Sequence, residues 1–311
     1  MTPTKGLSRA VAEGAAFVAD KAQHVRIAHE KIPAYAELIL SRYSLVSQMD
    51  PAMHYASPDT EMAARYVLAL DSVNFGSGYF YLYPGLEYAA LAGGLKQTFE
   101  QDVMSSPTQW QNVTPAFFAN MLNIPATCDL ARFYAEHLQA MGEIILAKYQ
   151  GRVLHLIEEA QGSAAKLADI AASWLHFRDE AQYLDRTIPI YKRAQILAAD
   201  MNLALGGLTD MDQLTIFADN MVPHVLRCDG VLSYDDTLAT KIAAGTLIEA
   251  GSTEETELRA CAIHAVERMR DAAQAAGHIV TAVNFDHLLW TRGYEPDLYK
   301  LPSHRTLTTA Y

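Results

Sequence analysis

Apolar positions along the chain recur mostly at helical spacing. Residues 8–24 and 33–48 read as helices, and in the second Tyr35, Leu38, Ile39 and Tyr43 share one face. Pro33 stands in that helix's first turn, where a missing N–H breaks no intrahelical bond. A polar loop containing His54 follows, between Ser47 and Pro58. From Thr60 to Leu70 the helical period returns, with Met62, Tyr66, Val67 and Leu70 on one side. Gly76 and Gly78 stop it, and the aromatic run Tyr79–Tyr83 predicts a short strand or small hairpin near 75–83.

Further on, Thr114-Pro115 opens an apolar helix, and Thr127 is a candidate cap for another over 127–149. That helix carries Leu130, Phe133, Tyr134, Leu138, Met141 and Ile145 as its stripe. The pattern continues over 152–160 and 163–175, with Ser163 as cap, and then gives way to a charged connection from Phe177 to Thr187. Helices are predicted over 189–204 and 210–217, split by Gly206-Gly207, and over 235–248 and 253–276. Ser252 or Thr253 starts the last of these, with Glu255 and Glu257 near its positive end. Thr281 to Leu289 is apolar and ends at Thr291-Arg292-Gly293; the tail from Tyr299 to Thr306 is polar and basic. With few strand signals and no linker or repeat, the expectation is one mostly helical domain over 1–311 with at most a small β-hairpin.

Composition narrows the function classes. The 311 residues are 50% hydrophobic and 19% charged, as in a chain that buries a core. A net charge of −12 repels phosphate backbones, and the densest cationic group is Lys192-Arg193, so stable nucleic-acid binding is not expected. Cys128, Cys228 and Cys261 are far apart and form no CxxC, which fits a reducing cytoplasm. The Ala-rich N-terminal stretch is interrupted by Glu13, Asp20 and Lys21, too polar for a signal peptide, and no apolar run is long enough for a membrane span. There is no HExxH, GxSxG or Walker loop, and the Gly76-Ser77-Gly78 turn lacks the strand and third glycine of a dinucleotide fingerprint. Neither a metal nor a cofactor is expected.

What remains is a set of polar residues in apolar surroundings. Lys192 and Arg193 sit among Ile188, Ile190, Ile196 and Leu197, and Lys192, Gln195 and Ala199 share a helix face. A lysine so placed ordinarily snorkels to water. Asp219 closes the run Leu214–Phe217; it is either a solvated helix end or a carboxylate set to stabilise a developing cation. We expect Lys192 and Asp219 to face one another across a small-molecule cavity. Asp286, in an apolar segment beside His287 and four residues before Trp290, needs a ligand or a buried arginine. His54 reads equally as surface, Asn74 as part of a helix stop, and Trp290 as core.

At these stretches the sequence resembles the queuosine salvage protein family, whose characterised activity is that of a queuosine 5′-phosphate N-glycosylase/hydrolase. The resemblance rests on Leu70–Phe80 (LDSVNFGSGYF), on Tyr191–Asp200 (YKRAQILAAD), and on Leu214–Asp219 followed by Val222-Pro223. Glu257–Cys261, Asp286–Trp290 and Pro302–Tyr311 complete it. Two departures stand out: His224 occupies a position where the related pattern usually carries Gln, and the NFGSGY block replaces bulkier aromatic residues.

The resemblance implies a helical fold related to helix–hairpin–helix DNA glycosylases, acting on a mononucleotide and releasing queuine, a 7-deazaguanine base bearing a cyclopentenediol. It implies Asp219 and Lys192 as the catalytic pair, Asp219 beneath the cationic sugar and Lys192 holding it. For the flat base it suggests stacking on Phe75, Tyr79 and Trp290, with Asp286 or Asn74 at the base's polar edge; for the diol, His54; and for the 5′-phosphate, Arg193, His304 and Arg305. The alternatives are a non-catalytic deazapurine-binding protein and a glycosylase acting on another modified nucleotide.

Overall fold

The longest helix, Thr253–Ala275, is buried at every residue from Glu255 through Ile263. Such a helix carries no amphipathic stripe, and its polar side chains must find partners inside the protein. Glu257 accepts the backbone N–H groups of Gln23, His24 and Val25 and the hydroxyl of Tyr183. Arg259 and Glu255 pair within one turn. Around this helix pack Leu7–Lys21, Ile32–Arg42, Met221–Cys228 and Ala282–Gly293. The computed structural model describes residues 6–311.

A second helical group is built on Asp129–Tyr149, which packs against Pro107–Gln111, Pro115–Leu122 and Thr60–Ser72. Lys192–Leu205 joins the two groups through Thr60–Ser72 and Ala164–Ala172, and the buried apolar residues form one cluster. The fold is mostly helical. Ser163 and Ser252 cap their helices as the sequence predicts; for Asp129–Tyr149 the cap is Cys128, whose Sγ accepts from Ala131 N, rather than Thr127.

The strands form two antiparallel pairs among the described residues, Val25–Ile27 with Leu232–Tyr234 and Glu180–Tyr183 with Arg186–Pro189, beside isolated parallel bridges at Ser163–Thr209 and Leu247–Arg305. The expected hairpin near 75–83 is absent. After Gly76, at φ 99°, the chain makes a helical turn over Ser77–Phe80. A Cβ at Gly76 would lie 2.7 Å from Leu130, and its N–H donates to Tyr311 O, so tertiary contacts override the strand preference of the aromatic run. The true hairpin occupies the connection read as polar: Ala181 and Tyr183 are buried while Glu180 and Gln182 are exposed, a period of two.

Other bounds differ too. The second predicted helix ends at Arg42, leaving 43–59 irregular, and 210–217 holds only the short turn Met211–Gln213. Tyr88–Glu100 and Pro107–Gln111 are additional helices. No helix of the described residues is long and apolar enough to cross a membrane.

The C-terminal segment passes so close to the Ser77–Phe80 turn that a Cβ on Gly78 would sit 1.9 Å from Thr306 O. Gly78→Ala is therefore expected to destabilise by about 3 kcal/mol, the upper range for overpacking. Gly93→Ala, with nothing within 4 Å of its Cβ in the Tyr88–Glu100 helix, should be neutral or slightly stabilising. Urea unfolding of both variants checks the contrast.

Candidate active site

Lys192 opens its helix at a point fixed from outside. Asp179 O accepts from Ile190 N and Tyr191 N, and Asp179 Oδ2 accepts from Lys192 N at 2.9 Å. Tyr191 takes the left-handed conformation (φ 52°), which costs a residue with a Cβ roughly 1–2 kcal/mol. Its hydroxyl is tied to Glu180. The result turns the chain from the hairpin edge into the helix with Lys192 pointing inward. Lys192 Nζ donates to Asn74 O at 3.1 Å and to Asn74 Oδ1 at 3.2 Å. Burial pulls the ammonium's pKa below the ordinary lysine value, and the attraction of Asp219 is the largest effect opposing it.

Asp219 arrives on a buried stretch, 214–218, that belongs to neither helix nor sheet. Backbone groups in such a segment still need partners, and here buried side chains supply them. Gln195 Oε1 accepts from Thr215 N at 2.8 Å, Asp286 Oδ1 accepts from Phe217 N at 2.8 Å, and Arg259 Nε donates to Ala218 O at 2.8 Å. Asp219 Oδ1 in turn accepts from Met221 N at 2.6 Å, at the start of the next helix. Arg259 also holds Asp179 through two bonds, 2.8 and 2.6 Å long. One buried guanidinium thus fixes both the turn before Lys192 and the peptide before Asp219.

Between these two residues lies a cavity of about 530 Å³, within the range of small-molecule sites. Its apolar walls include Phe75, Phe217 and Trp290, and Val46, Gln48, Met49, Asp50 and His54 line it from the irregular segment after Arg42. Five carboxyl side chains line it (Asp50, Glu87, Asp200, Asp219 and Asp286) against the single amine of Lys192. Burial raises Asp286 to about 7 and Asp200 well above the carboxylate range, the latter helped by the nearby charge of Asp71. Burial lowers His287 to about 4 and also depresses His54, so both imidazoles favour the neutral form. His54 Nδ1, Ser77 Oγ and His287 Nδ1 are buried with no protein partner, and all three residues line the cavity.

Of the residues singled out from sequence, Lys192, Asp219, His54, Asn74, Phe75, Asp286 and Trp290 line this one space. Four do not line it. Tyr79 turns away to pack edge-on against Phe133. Arg193 is buried, bonded to Ser72 O and His176 O and set against the rings of Phe75 and Phe177 at 5.0 and 4.9 Å. His304 is buried against Tyr311, with its pKa lowered to about 3, and carries no charge for a phosphate. Arg305 lies over Tyr81, its guanidinium 4.3 Å from the ring centroid. The expected grip of Lys192 on Asp219 is also indirect: no ion pair joins them among the described residues, and Lys192 is held by Asn74 instead. Asp286 pairs with a backbone N–H and not with an arginine.

Sequence reasoning missed Asp179 and Arg259, which lie 80 residues apart and meet only in the fold. It also missed Phe217, Asp200 and His287 as wall residues. The signal for Phe217 was present, since it stands two residues before Asp219. His224, the departure noted in the sequence, lines the cavity and contacts Leu298 O at 3.2 Å.

A family model described as queuosine salvage protein matches residues 53–311. The chain is 35% identical to a queuosine 5′-phosphate N-glycosylase/hydrolase of Sphaerobacter thermophilus, over 94% of this chain and 95% of that protein. It is 32% identical to the protein of that name from Dictyostelium discoideum (97% and 98% covered) and 29% identical to the one from Mus musculus (96% and 98%).

The Arg259 clamp has a measurable weight. Arg259→Met leaves Asp179 buried and unpaired and should cost about 3–5 kcal/mol in chemical denaturation. Asp179→Asn in the same chain should recover part of that loss, because it removes the stranded charge. Equal stability of the single and double variants would show that the pair is not coupled.

Proposed function

The chain belongs to the queuosine salvage protein family, and from that premise we propose that it hydrolyses the N-glycosidic bond of queuosine 5′-phosphate and releases queuine. The observation that carries the reading is the cavity itself, which Asp219 and Lys192 both line between aromatic walls suited to a flat base.

Cleavage of an N-glycosidic bond builds positive charge on the sugar. A carboxylate beneath the sugar, the role assigned to Asp219, stabilises that charge, and it acts most strongly where water is excluded. Asp219 faces the sugar and orients or deprotonates the attacking water. Its carboxylate is aimed by Met221 N, so the geometry costs no reorganisation during the reaction. Lys192 works through its field: it balances Asp219 while Asn74 restrains the ammonium. Phe75, Phe217 and Trp290 take the base faces, and Asp286, positioned by Phe217 N, accepts from the N–H groups of the base edge. His54 and His287, neutral and with unpaired nitrogens, exchange hydrogen bonds with hydroxyl groups of the ligand. The substrate is a free mononucleotide in the cytoplasm; the net charge of −12 disfavours a nucleic-acid partner.

Purified protein incubated with queuosine 5′-phosphate should release queuine, detected by mass spectrometry. Asp219→Asn should lower kcat by about 10²–10³-fold or more, while queuine still binds. Wild-type turnover by that variant would remove Asp219 from the chemistry. Tight queuine binding without turnover of any nucleoside form would establish the binding-protein alternative.

Asp286 adds a pH signature. Its value of about 7 lies above the ordinary 3.8, because burial favours the protonated acid. That contribution to stability is full below the ordinary value and is lost as pH rises through about 7. Base binding that needs the carboxylate runs the other way. Queuine affinity, followed by calorimetry, should tighten about tenfold as pH rises from about 6 to about 8, and Asp286→Asn should abolish the dependence.

A further inference from the structure

Asp71 is a buried carboxyl group that the mechanism above does not use. It sits in the last turn of the Thr60–Ser72 helix, is fully buried, and does not line the cavity. Burial and the negative end of the helix dipole both disfavour its charge, and its pKa is raised to about 7, chiefly by burial. Oδ2 has no partner, whereas Oδ1 accepts from Asn74 Nδ2 at 3.1 Å. A group so costly to bury is kept for what its one bond does.

That bond decides which way the Asn74 amide faces. With Nδ2 held by Asp71, Oδ1 is left toward Lys192 Nζ, at 3.2 Å, and Asn74 O takes a second ammonium proton at 3.1 Å. An ammonium has three N–H donors. Asn74 therefore occupies two and leaves one for the cavity, on the side of Asp219 and the substrate. If the amide turned over, Nδ2 would oppose the ammonium with its own hydrogens, and Lys192 would shift.

We propose that Asp71 is a positioning residue for the glycosidic cleavage, acting through the Asn74 amide to fix the direction of the Lys192 ammonium. This rests on the catalytic reading of Lys192 and Asp219. Asp71 acts as a hydrogen-bond acceptor rather than as a charge, so an asparagine at 71, which offers an amide oxygen, substitutes for it.

The test compares Asp71→Leu, Asp71→Asn, Asn74→Ala and the double variant Asp71→Leu/Asn74→Ala in steady-state base release. Asp71→Leu should lower kcat by about 10–100-fold with KM within about twofold of wild type, as expected for a misplaced group in the transition state. Asp71→Asn should restore most of that loss. The double variant should be no slower than Asn74→Ala alone, because both changes break one chain of contacts. Losses that multiply in the double variant, an equal loss in Asp71→Asn, or wild-type kcat in Asp71→Leu would each overturn the inference. Should Asp71→Leu not fold, Asp71→Ser replaces it in the same cycle with the same criteria. A wild-type protein that releases no base would sink the catalytic reading itself, which separates the two failures.

Discussion

The site depends on a guanidinium that never touches the cavity. Arg259 is buried in the central helix, binds both carboxylate oxygens of Asp179, and donates to Ala218 O. Asp179 immediately precedes the first strand of the hairpin and receives the first N–H of the Lys192 helix. Ala218 is the residue before Asp219. Three otherwise independent segments are thereby referred to one rigid planar fork, whose geometry suits two-oxygen recognition. Without it the left-handed turn at Tyr191 and the irregular stretch before Asp219 would have no common anchor.

The same economy of contacts explains the chemistry. Backbone that lies outside regular structure can approach a ligand, but its polar groups must be satisfied. Gln195, Asp286 and Arg259 do this for the stretch ending in Asp219, and each comes from a different helix. Asp286 consequently serves the fold through Phe217 N while its carboxyl group also faces the cavity. Burial then shapes the electrostatics: Asp71, Asp200 and Asp286 favour their neutral forms, so the cluster around Lys192 is less anionic than its composition implies.

Much was legible in the chain by itself. The 3.6-residue period gave a helical protein, serine caps placed the starts of two helices, and the YKRAQIL and FAD motifs singled out Lys192 and Asp219. Local pattern carries these because helix formation and capping are decided within a few residues. The strand preference of Tyr79–Tyr83 misled for the same reason: it is a surface-packing preference, and Gly76 and the C-terminal segment decided otherwise. Tertiary structure alone decided which cations face the cavity. Arg193 adjoins Lys192 in sequence, yet one helical step of about 100° turns it into carbonyl oxygens and aromatic rings. His304 and Arg305 are likewise set by the path of the tail. The bonds from Asp179 to Arg259 and from Asn74 to Lys192 join residues distant in the chain. Sequence specifies the side chains that can make such bonds; only folding determines which of them meet.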